Sequence, residues 1–403
     1  MQPIIIIGAG LAGYTVAREV RKLDKEIPLT IITSCGGGFY SKPMLSNAFA
    51  KNQQAAQLVT QSAVQMAAQL NATVAADTHV QSIDTAGKQI HTDKGVFAYG
   101  KLVIASGAQP IRIPIEGDAA HQVISINHVE DYAVFRSRID QAAVGRPARV
   151  TILGAGLIGC EFADDLAGTG HAVTLIDPNP LPLAALASPA LSEKLQSALS
   201  ERGVTFCLGT TASRVDHRGD ALHVSLANGT SFETDIVLSA VGLRPDIRLA
   251  QAAQLQTGRG ILVDQTGQTS ASDIFAVGDC AEYMADNGTT QILPYVAPLM
   301  TAARAIARTL TGQVTQIDLQ PAPVLVKTPS CPLALIPPPV ALAKTGHWET
   351  QIQIENGRII SRYYDAQGIM RGFGVTPHDA AVRQALLNEL GSTRPVSAAS
   401  QAS

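Results

Sequence analysis

Two six-residue stretches decide how this chain is expected to fold: GAGLAG at residues 8–13 and GAGLIG at residues 154–159. Each follows a short run typical of a buried strand, IIII at residues 4–7 and VTIL at residues 150–153, and each precedes a pattern typical of a helix. In a G-x-G-x-x-G turn the first glycine permits the bend, the second lets a pyrophosphate approach the backbone, and the third lets helix and strand pack. The repeat therefore predicts two dinucleotide sites in one chain.

The residues of the two turns are the first predicted cofactor ligands. The helix after each turn presents free backbone N–H groups and the positive end of its dipole to the phosphates. The ligands predicted in the first turn are Gly8, Gly10, Leu11, Ala12 and Gly13. The ligands predicted in the second turn are Gly154, Gly156, Leu157, Ile158 and Gly159.

Length and composition are those of a globular enzyme. A chain of 403 residues exceeds what one core usually organises, so two or three domains are expected. The net charge of -3 and the pI of about 6.3 argue against nucleic acid or an anionic membrane as a partner. The sequence contains no run of about 18 uninterrupted apolar residues, so no membrane span is predicted. Residues 4–7 lack a preceding cationic segment, which favours a buried strand over a secretory leader. We therefore expect a cytoplasmic protein.

The cysteines and histidines exclude two kinds of chemistry. The five cysteines are scattered and are nowhere spaced as CxxC or CxxxxC: Cys35, Cys160, Cys207, Cys280 and Cys331. A secreted disulfide framework and a redox-active dithiol are both disfavoured, because a dithiol needs two sulfurs on one turn or helix. The histidines show no metal-ligand spacing, so no metal site is predicted.

The residue after the second strand distinguishes the two sites. A dinucleotide site usually carries Asp or Glu about 20 residues after the turn, where it accepts hydrogen bonds from ribose hydroxyls. Asp177 stands there in the second unit, whereas the first unit has Thr33 and Ser34. A carboxylate about 4 Å from a 2′-phosphate would repel it by roughly 4 kcal/mol per charge at an effective dielectric constant of about 20. We therefore expect NADH rather than NADPH at the second turn, with Gly242 as a further contact.

The order of the patterns predicts an insertion of one domain into another. Strands and helices alternate as in α/β domains with parallel sheets. A proline-punctuated crossover at residues 110–114 and a return at residues 236–245 predict a discontinuous first nucleotide-binding domain, residues 1–114 and 236–312. The second, also Rossmann-like, is then inserted at residues 115–235. Residues 313–390 predict a small α+β C-terminal domain, and the polar, aperiodic residues 391–403 a disordered tail.

The segment TSASDIFAVGD at residues 269–279 resembles the flavin-closing motif of the FAD-dependent pyridine nucleotide oxidoreductases. Residues 274–277 predict a buried strand, after which Gly278 lets the chain pass close to a ligand and Asp279 presents an acceptor to sugar-like hydroxyls. The resemblance implies FAD at the first turn and NADH at the second. It also implies a helix within residues 294–310, beginning near residues 297–298, whose N-terminus points at the flavin pyrimidine, where its dipole stabilises negative charge.

Further motifs resemble the ferredoxin-reductase-like branch of that superfamily. YSKPMLS at residues 40–46 stands where disulfide reductases carry their CxxxxC helix, and it matches a Y-x-R-P-x-L-S pattern with Lys42 in place of Arg. An ATG-like turn at residues 105–107, GLIGCE at 156–161 and VGLRP at 241–245 continue the match. The resemblance implies a flavin enzyme without a dithiol.

The C-terminal segment KTPSCP at residues 327–332 resembles that of the rubredoxin–NAD reductases. The resemblance implies a charged pair of Lys42 and Glu161 on the N5 side of the flavin, both as catalytic residues, and Lys327 against the pyrimidine edge. The FAD ligands expected outside the first turn are Thr33, Ser34, Lys42, Pro43, Ala105, Ser106, Gly107, Asp279, Val296 and Lys327.

The resemblance implies that NADH gives a hydride to flavin N5 and that single electrons leave to rubredoxin, whose one iron is held by four cysteines, in an alkane-hydroxylase chain. Ferredoxin, a flavorubredoxin, or oxygen and peroxide are alternative acceptors, although a catalytic cysteine near residue 40 is missing for peroxide reduction. An alternative of another class is a non-catalytic FAD- and NADH-sensing scaffold resembling apoptosis-inducing factor. Both a monomer and a homodimer are compatible with the sequence.

Overall fold

A computed structural model of the chain describes residues 2–284 and 288–394. The strands up to residue 110 are β1 (Ile4–Ile7), β2 (Leu29–Ile32), β3 (Thr73–Ala75), β4 (Val80–Asp84), β5 (Gln89–Thr92), β6 (Gly95–Ala98), β7 (Lys101–Ile104) and β8 (Ala108–Pro110). The helices of this stretch are α1 (Leu11–Leu23), α2 (Ala55–Leu58) and α3 (Ala63–Leu70), with a 3-10 helix at Lys42–Asn47. The strand at residues 4–7 and the helix after the first glycine turn are as predicted.

The second glycine turn lies in a second set of elements. Its helices are α4 (Val129–Ala142), α5 (Leu157–Gly168) and α6 (Pro189–Glu201), with a 3-10 helix at Ala120–Gln122. Its strands are β9 (Arg149–Leu153), β10 (Ala172–Asp177), β11 (Thr205–Leu208), β12 (Ala212–Arg218), β13 (Ala221–Leu226), β14 (Ser231–Thr234) and β15 (Ile236–Ser239). The order β9, α5, β10 repeats the order β1, α1, β2, as the duplicated motif predicts.

The remaining elements complete the first domain and form the third. The chain returns through β16 (Leu243–Pro245), α7 (Arg248–Ala252), β17 (Ile261–Val263), β18 (Ile274–Ala276), a 3-10 helix at Gly278–Cys280, β19 (Ala281–Met284), β20 (Thr290–Gln291) and α8 (Val296–Leu310). The third domain consists of β21 (Val324–Val326), β22 (Leu333–Ile336), β23 (His347–Gln353), β24 (Arg358–Tyr364), β25 (Met370–Thr376) and α9 (Ala380–Glu389).

Two parallel sheets form the centres of the nucleotide-binding domains. The first has the order β18-β7-β1-β2-β3 and the second the order β11-β10-β9-β15. β1 is a continuous apolar run, and β9 is buried from Val150 to Leu153 with one threonine among its apolar residues, as expected for strands that are covered on both faces. The predicted fold class is confirmed: two Rossmann-like domains, one inserted into the other, and a small C-terminal α+β domain.

The boundary predicted at residue 236 is wrong. β15 pairs in parallel with β9, so that Ile236 lies beside Val150 and Ser239 beside Leu153 in the second sheet. A short run with three consecutive apolar residues fits either parallel sheet equally well, which is why the sequence alone placed it in the wrong domain. The chain leaves the second domain after β15, where β16 pairs antiparallel with β8.

The third domain is a five-stranded antiparallel sheet of order β21-β22-β25-β24-β23, with α9 packed on β25. The predicted disordered tail begins too early. The Gly391 N–H donates to the Met370 carbonyl at 2.9 Å, and the Arg394 N–H donates to the Gly368 carbonyl at 2.8 Å. Residues 391–394 therefore belong to the domain, because their backbone groups pair with the turn before β25. Residues 395–403 lie outside the described residues.

A segment of the first domain contributes to the core of the second. Leu45, Phe49 and Leu58 are buried in the same apolar cluster as Ile152, Phe162 and Leu175. The 3-10 helix at Lys42–Asn47 thus begins at the first domain's ligand site and continues into the second domain's interior. Within the described part of the chain, no helix has the length and apolar character that a membrane crossing requires.

Candidate functional site

The first glycine turn has the geometry that a bound pyrophosphate requires. Gly8 has φ +113°, in the region that favours glycine, and a Cβ there would collide with the carbonyl oxygen of Ala105. A Cβ on Gly13 would collide with the carbonyl oxygen of Gly8, so helix and turn pack through bare backbone. Gly10 faces open space, with no heavy atom within 4 Å of a Cβ built there. The open side of the turn is therefore free for a phosphate.

The second turn repeats this geometry residue by residue. Gly154 has φ +103°, a Cβ on Gly159 would meet the Gly154 carbonyl oxygen, and Gly156 faces open space. Gly10 and Gly156 are the N-caps of α1 and α5, and neither helix has a side-chain cap. Both helices therefore offer their first backbone N–H groups and dipole to an anion. The residues present fit two dinucleotides.

Sheet register makes Asp177 and Thr33 equivalent positions. Ile176 pairs with Leu153 before the second turn, and Ile32 pairs with Ile7 before the first, so each next residue faces its own turn. The Asp177 carboxylate accepts from the Ala155 N–H at 2.7 Å and from the Asn179 N–H and side-chain amide, each at 2.8 Å. Asp177 thus supports the glycine turn besides being available to a ribose.

Thr33 and Ser34 make weaker connections at the first turn. The Thr33 N–H donates to the Ala75 carbonyl at 3.1 Å, and its hydroxyl lies 3.2 Å from the thiol of Cys35. Ser34 is exposed beside it. Backbone and hydroxyl groups are what this strand end offers to a ribose, in line with the expectation from the sequence.

Three strand ends meet beside the first turn. The turn follows β1, residues 105–107 follow β7, and Gly278 and Asp279 follow β18, so these segments share the carboxyl edge of neighbouring parallel strands. Gly278 packs directly on α1, since a Cβ there would lie 2.9 Å from the Cβ of Ala12. The Ser106 hydroxyl donates to the Asp246 carbonyl at 2.8 Å and holds the 105–107 turn to the returning chain. Ligands of α/β sheets bind at such an edge.

Two opposite charges face this edge. Burial raises the pKa of the Asp279 carboxyl, which the nearby Lys42 ammonium opposes. Burial likewise lowers the pKa of Lys42, opposed by Asp279 and Asp131. Among the described residues neither side chain has a hydrogen-bond partner, so both keep their hydrogen-bonding capacity for a ligand. The helix α8 starts here at Val296, and its first turn also has no side-chain cap.

Glu161 is paired with Lys327 in the structure, not with Lys42 as the sequence suggested. Its side chain is only 7% exposed and accepts from the Ser46 hydroxyl at 2.5 Å and from the Lys327 ammonium at 2.7 Å. The backbone N–H of Lys327 also donates to it, at 3.0 Å. A buried carboxylate requires such compensation by donors and a cation. The sequence motifs did not indicate that Lys327 provides it.

Lys327 connects all three domains. Its ammonium donates to Glu161 of the second domain. In the first domain it donates to the Pro43 carbonyl and, at 3.2 Å each, to the side-chain oxygens of Ser46 and Asn47. Its own carbonyl accepts from the Asn47 amide at 2.9 Å. Lys327 and Pro43 are thus brought together, and a flavin contact by Lys327 stays a prediction.

The predicted NAD contacts Ile158 and Gly242 also come together. They line one crevice with Phe162, Leu238 and Ser239, at the start of α5 and the end of β15.

Sequence reasoning missed Ser46 and Asn47, although both lie in or beside the YSKPMLS motif. It also missed Asp164 and Asp165, two buried carboxylates of α5 that follow Glu161 at helical spacing.

Comparison with known proteins agrees with this site. Residues 2–325 match the profile of the pyridine nucleotide-disulphide oxidoreductase family. The chain belongs to this family. It is therefore an oxidoreductase, and the predicted cofactors, FAD and NADH, are confirmed. Residues 316–390 match a second profile, that of the rubredoxin binding C-terminal domain.

Individual relatives cover almost the whole chain. The rubredoxin-NAD(+) reductase of Alcanivorax borkumensis is 41% identical over 98% of this chain and 100% of its own length. That of Acinetobacter baylyi is also 41% identical, over 97% of this chain and 98% of its own. Among solved structures, a ferredoxin reductase from Rhodopseudomonas palustris is 25% identical, with a TM-score of 0.86 over 98% of this chain and 96% of its own.

Proposed function

We propose that this oxidoreductase transfers electrons from NADH through FAD to rubredoxin. The observation that carries the proposal is the rubredoxin-binding C-terminal domain at residues 316–390, joined to two dinucleotide turns in one chain. Two relatives that are 41% identical over nearly the full chain are rubredoxin-NAD(+) reductases, which supports the same acceptor.

The residues of this chain have separate tasks in that reaction. FAD supplies the hydride acceptor and the conversion from two-electron to one-electron transfer. The N–H groups after Gly10 and Gly156 hold the two pyrophosphates, and Asp177 holds the NADH ribose and repels a 2′-phosphate. Lys42 and the N-terminus of α8 at Val296 would stabilise negative charge on a reduced flavin bound at this edge.

The form in which electrons leave follows from the sulfur chemistry. No two cysteines of the chain are spaced for a dithiol, and Cys160, Cys280 and Cys331 are buried free thiols. The cysteines therefore offer no dithiol relay, and a bound FAD would itself supply single electrons to a carrier such as the iron of rubredoxin. We also propose a cytoplasmic location, which suits free thiols and a supply of NADH, and a role in alkane hydroxylation.

A second acceptor has specific support. The nitric oxide reductase FlRd-NAD(+) reductase of Aliivibrio fischeri is 34% identical over 97% of this chain and 99% of its own length. A flavorubredoxin is therefore the second candidate, and it would dock on the same C-terminal domain.

The test is stopped-flow reduction of the carriers by the NADH-reduced holoenzyme. Rubredoxin, flavorubredoxin and ferredoxin are compared side by side at low and high salt. We expect rubredoxin to be reduced fastest, with a rate that falls as salt screens a transient encounter. Reduction of rubredoxin no faster than of a dye would refute the proposal, and faster reduction of flavorubredoxin would favour the second candidate.

A further inference from the structure

The segment that carries Lys42 belongs to the first domain in sequence but is held by the second. The Tyr40 hydroxyl accepts from the Val129 N–H at the start of α4, at 3.2 Å. The Tyr132 hydroxyl of α4 donates to the Gln53 carbonyl at 3.0 Å. Between these two points Phe49 is buried, with edge-to-face contacts to the rings of Tyr132 and Phe135. The backbone on both sides of Lys42 is thus held against the second domain.

Asp165 of α5 makes the central contact of this segment. Its two carboxylate oxygens accept one hydrogen bond each, from the Phe49 N–H at 2.8 Å and from the Ala50 N–H at 3.0 Å. Asp165 is 3% exposed, and the described residues provide it with no salt bridge. Burial raises the pKa of its carboxyl, against which the two N–H groups act. A buried carboxylate to which the described residues donate two backbone N–H groups and bring no cation is energetically costly, which points to a role beyond packing.

The chemistry of the contact requires a carboxylate. Phe49 and Ala50 are consecutive, so their N–H groups directly follow the 3-10 helix at Lys42–Asn47 and its C-cap Ala48. Two acceptor oxygens on one side chain bind both groups together, whereas an asparagine offers one oxygen and would turn an NH2 group toward the second donor. Asp165 therefore fixes both the position and the orientation of the backbone that follows the 3-10 helix.

The position of Asp165 on α5 connects this contact to the NADH turn. Gly156 caps the helix beside the predicted pyrophosphate, Glu161 follows and binds Ser46, and Asp165 lies one turn further on. Residues four apart lie on the same helix face, so Glu161 and Asp165 hold the segment at Ser46 and at Phe49. One rigid helix thereby spans from the NADH site to the segment carrying Lys42.

We propose that Asp165 is a positioning residue for electron transfer from NADH. Through the N–H groups of Phe49 and Ala50 it fixes the segment at residues 42–50, and with it the ammonium of Lys42, relative to the helix that begins at the NADH turn. The inference rests on the proposed function for the place of the flavin beside Lys42, and it adds a residue that acts through Lys42.

A double-mutant cycle on the FAD-loaded enzyme tests the proposal. The variants are Asp165→Asn, Lys42→Ala and their combination, and the measured quantity is the rate of flavin reduction by NADH in stopped flow. We expect Asp165→Asn to slow reduction about tenfold while FAD content is retained, because a shift of about 1 Å can cost about a hundredfold in rate and the other contacts of the segment limit the shift. In the Lys42→Ala background we expect less than about a twofold change, because the group that Asp165 positions is gone.

Asp164 provides the matched control on the same helix. It is 1% exposed and accepts from Arg202 at 2.9 Å and from the Ser330 N–H at 3.1 Å, and in the part of the chain that the structure describes no hydrogen bond joins its side chain to residues 42–50. Asp164→Asn should change the rate by the same factor in both backgrounds. Equal effects of Asp165→Asn with and without Lys42, or no effect at all, would overturn the proposal.

A variant that retains both oxygens covers the case in which Asp165→Asn loses its flavin. Asp165→Glu enters the same cycle, and coupling of its effect to Lys42 supports the proposal, whereas an independent effect overturns it. The readout precedes the acceptor, so the result does not depend on rubredoxin. An enzyme that NADH reduces but that fails to reduce rubredoxin would contradict the proposed function and leave this cycle intact.

Discussion

The two glycine turns of this chain share one backbone and differ in what surrounds them. Each has a first glycine at positive φ, a second facing open space and a third packed on the carbonyl of the first. Around the first turn lie segments from three other parts of the chain: residues 105–107, residues 278–279 and the start of α8. The second turn is supported within its own domain, where Asp177 binds the Ala155 N–H.

The difference corresponds to the two uses of a dinucleotide. A cofactor at the first turn would contact several elements that are far apart in sequence, which favours slow release and a resident FAD. A cofactor at the second turn would depend on one helix, one carboxylate and the crevice at Gly242, which suits NADH that must bind and leave at every turnover. The four predictions below test this contrast, beginning with the largest effect.

Adding one methyl group at the third glycine of either turn should separate the two sites. Gly13→Ala and Gly159→Ala each place a Cβ onto a glycine carbonyl oxygen, which costs about 3 kcal/mol or roughly a hundredfold in affinity. Gly13→Ala should lose FAD, measured by absorbance of the purified protein. Gly159→Ala should retain FAD but raise the NADH concentration needed for flavin reduction.

Gly10→Ala separates an effect on the fold from an effect on the ligand, because the protein leaves space for its Cβ whereas a bound pyrophosphate would meet it. It should disturb the fold little and weaken FAD only through contact with the phosphates. Loss of FAD in Gly159→Ala would contradict the assignment of the turns.

Removal of the carboxylate at the second turn should change the choice of nicotinamide. Asp177→Ala removes the repulsion of a 2′-phosphate and also the acceptor for the Ala155 N–H. We expect the ratio of catalytic efficiencies, NADH over NADPH, to fall on the order of a hundredfold, with part of the change from weaker NADH binding. Steady-state kinetics with both nucleotides measures the ratio, and a wild-type enzyme that used NADPH equally well would contradict the role of Asp177.

The second sheet has a charged cluster at the end opposite its turn. The Asp235 carboxylate binds Arg146 at 2.6 Å and Arg149 at 2.8 Å, and although burial alone would raise it, these hydrogen bonds hold the pKa of Asp235 far below its ordinary value. Asp235→Asn should lower the free energy of unfolding at pH 7 by about 1 kcal/mol, since both arginines are partly exposed. The KM for NADH should stay unchanged, because the turn is remote.

The pH dependence of this cluster has a definite sign. A carboxyl whose pKa is depressed by folding stabilises the protein above its unfolded pKa of about 3.9, and the contribution is lost as the pH falls through the folded value. The difference in stability between wild type and Asp235→Asn should therefore be largest near neutrality and shrink in acid. A difference that stayed constant from pH 7 to strong acid would contradict the electrostatic origin.

The smallest effect should come from giving the first turn the acid of the second. Thr33 and Asp177 are equivalent in sheet register, so Thr33→Asp would offer a carboxylate both to the Ala9 N–H and to the ribose of FAD. We expect FAD release to slow about twofold, the gain from a hydrogen bond being offset by burial of the charge. Faster release of FAD would show that a carboxylate at residue 33 does not help the first site, whose affinity then depends on the other segments around the turn. Thr33→Asn, which lacks the charge, is the control.

Local sequence predicted the parts of the fold that local chemistry decides. The two glycine turns, the helix after each and the strand before each depend on residues adjacent in sequence, and all appear as predicted. Asp279 and Val296 likewise follow from one motif each, and both lie at the edge where the first turn is found. The roles of these residues toward a bound cofactor are still predictions.

Contacts between distant segments escaped the sequence analysis. The run at residues 236–239 could join either parallel sheet, and its place depends on the edge left free by β9. Lys327 pairs with Glu161 because the third domain packs against α5, which no spacing within either motif encodes. Residues 391–394 are ordered by backbone pairing with residues 368–370, a contact that polar side chains do not reveal.

The paired strands β8 and β16 give the inserted domain an unusual modularity. Its entry and exit lie side by side, since Pro110 faces Leu243 and the Ile111 N–H donates to the Gly242 carbonyl at 3.0 Å. A short linker could therefore close the first domain after the whole insertion is removed. Such an excision would expose Leu45, Phe49 and Leu58, which the removed domain had covered. Exchange of the nicotinamide domain between relatives therefore requires transplanting residues 42–58 together with it.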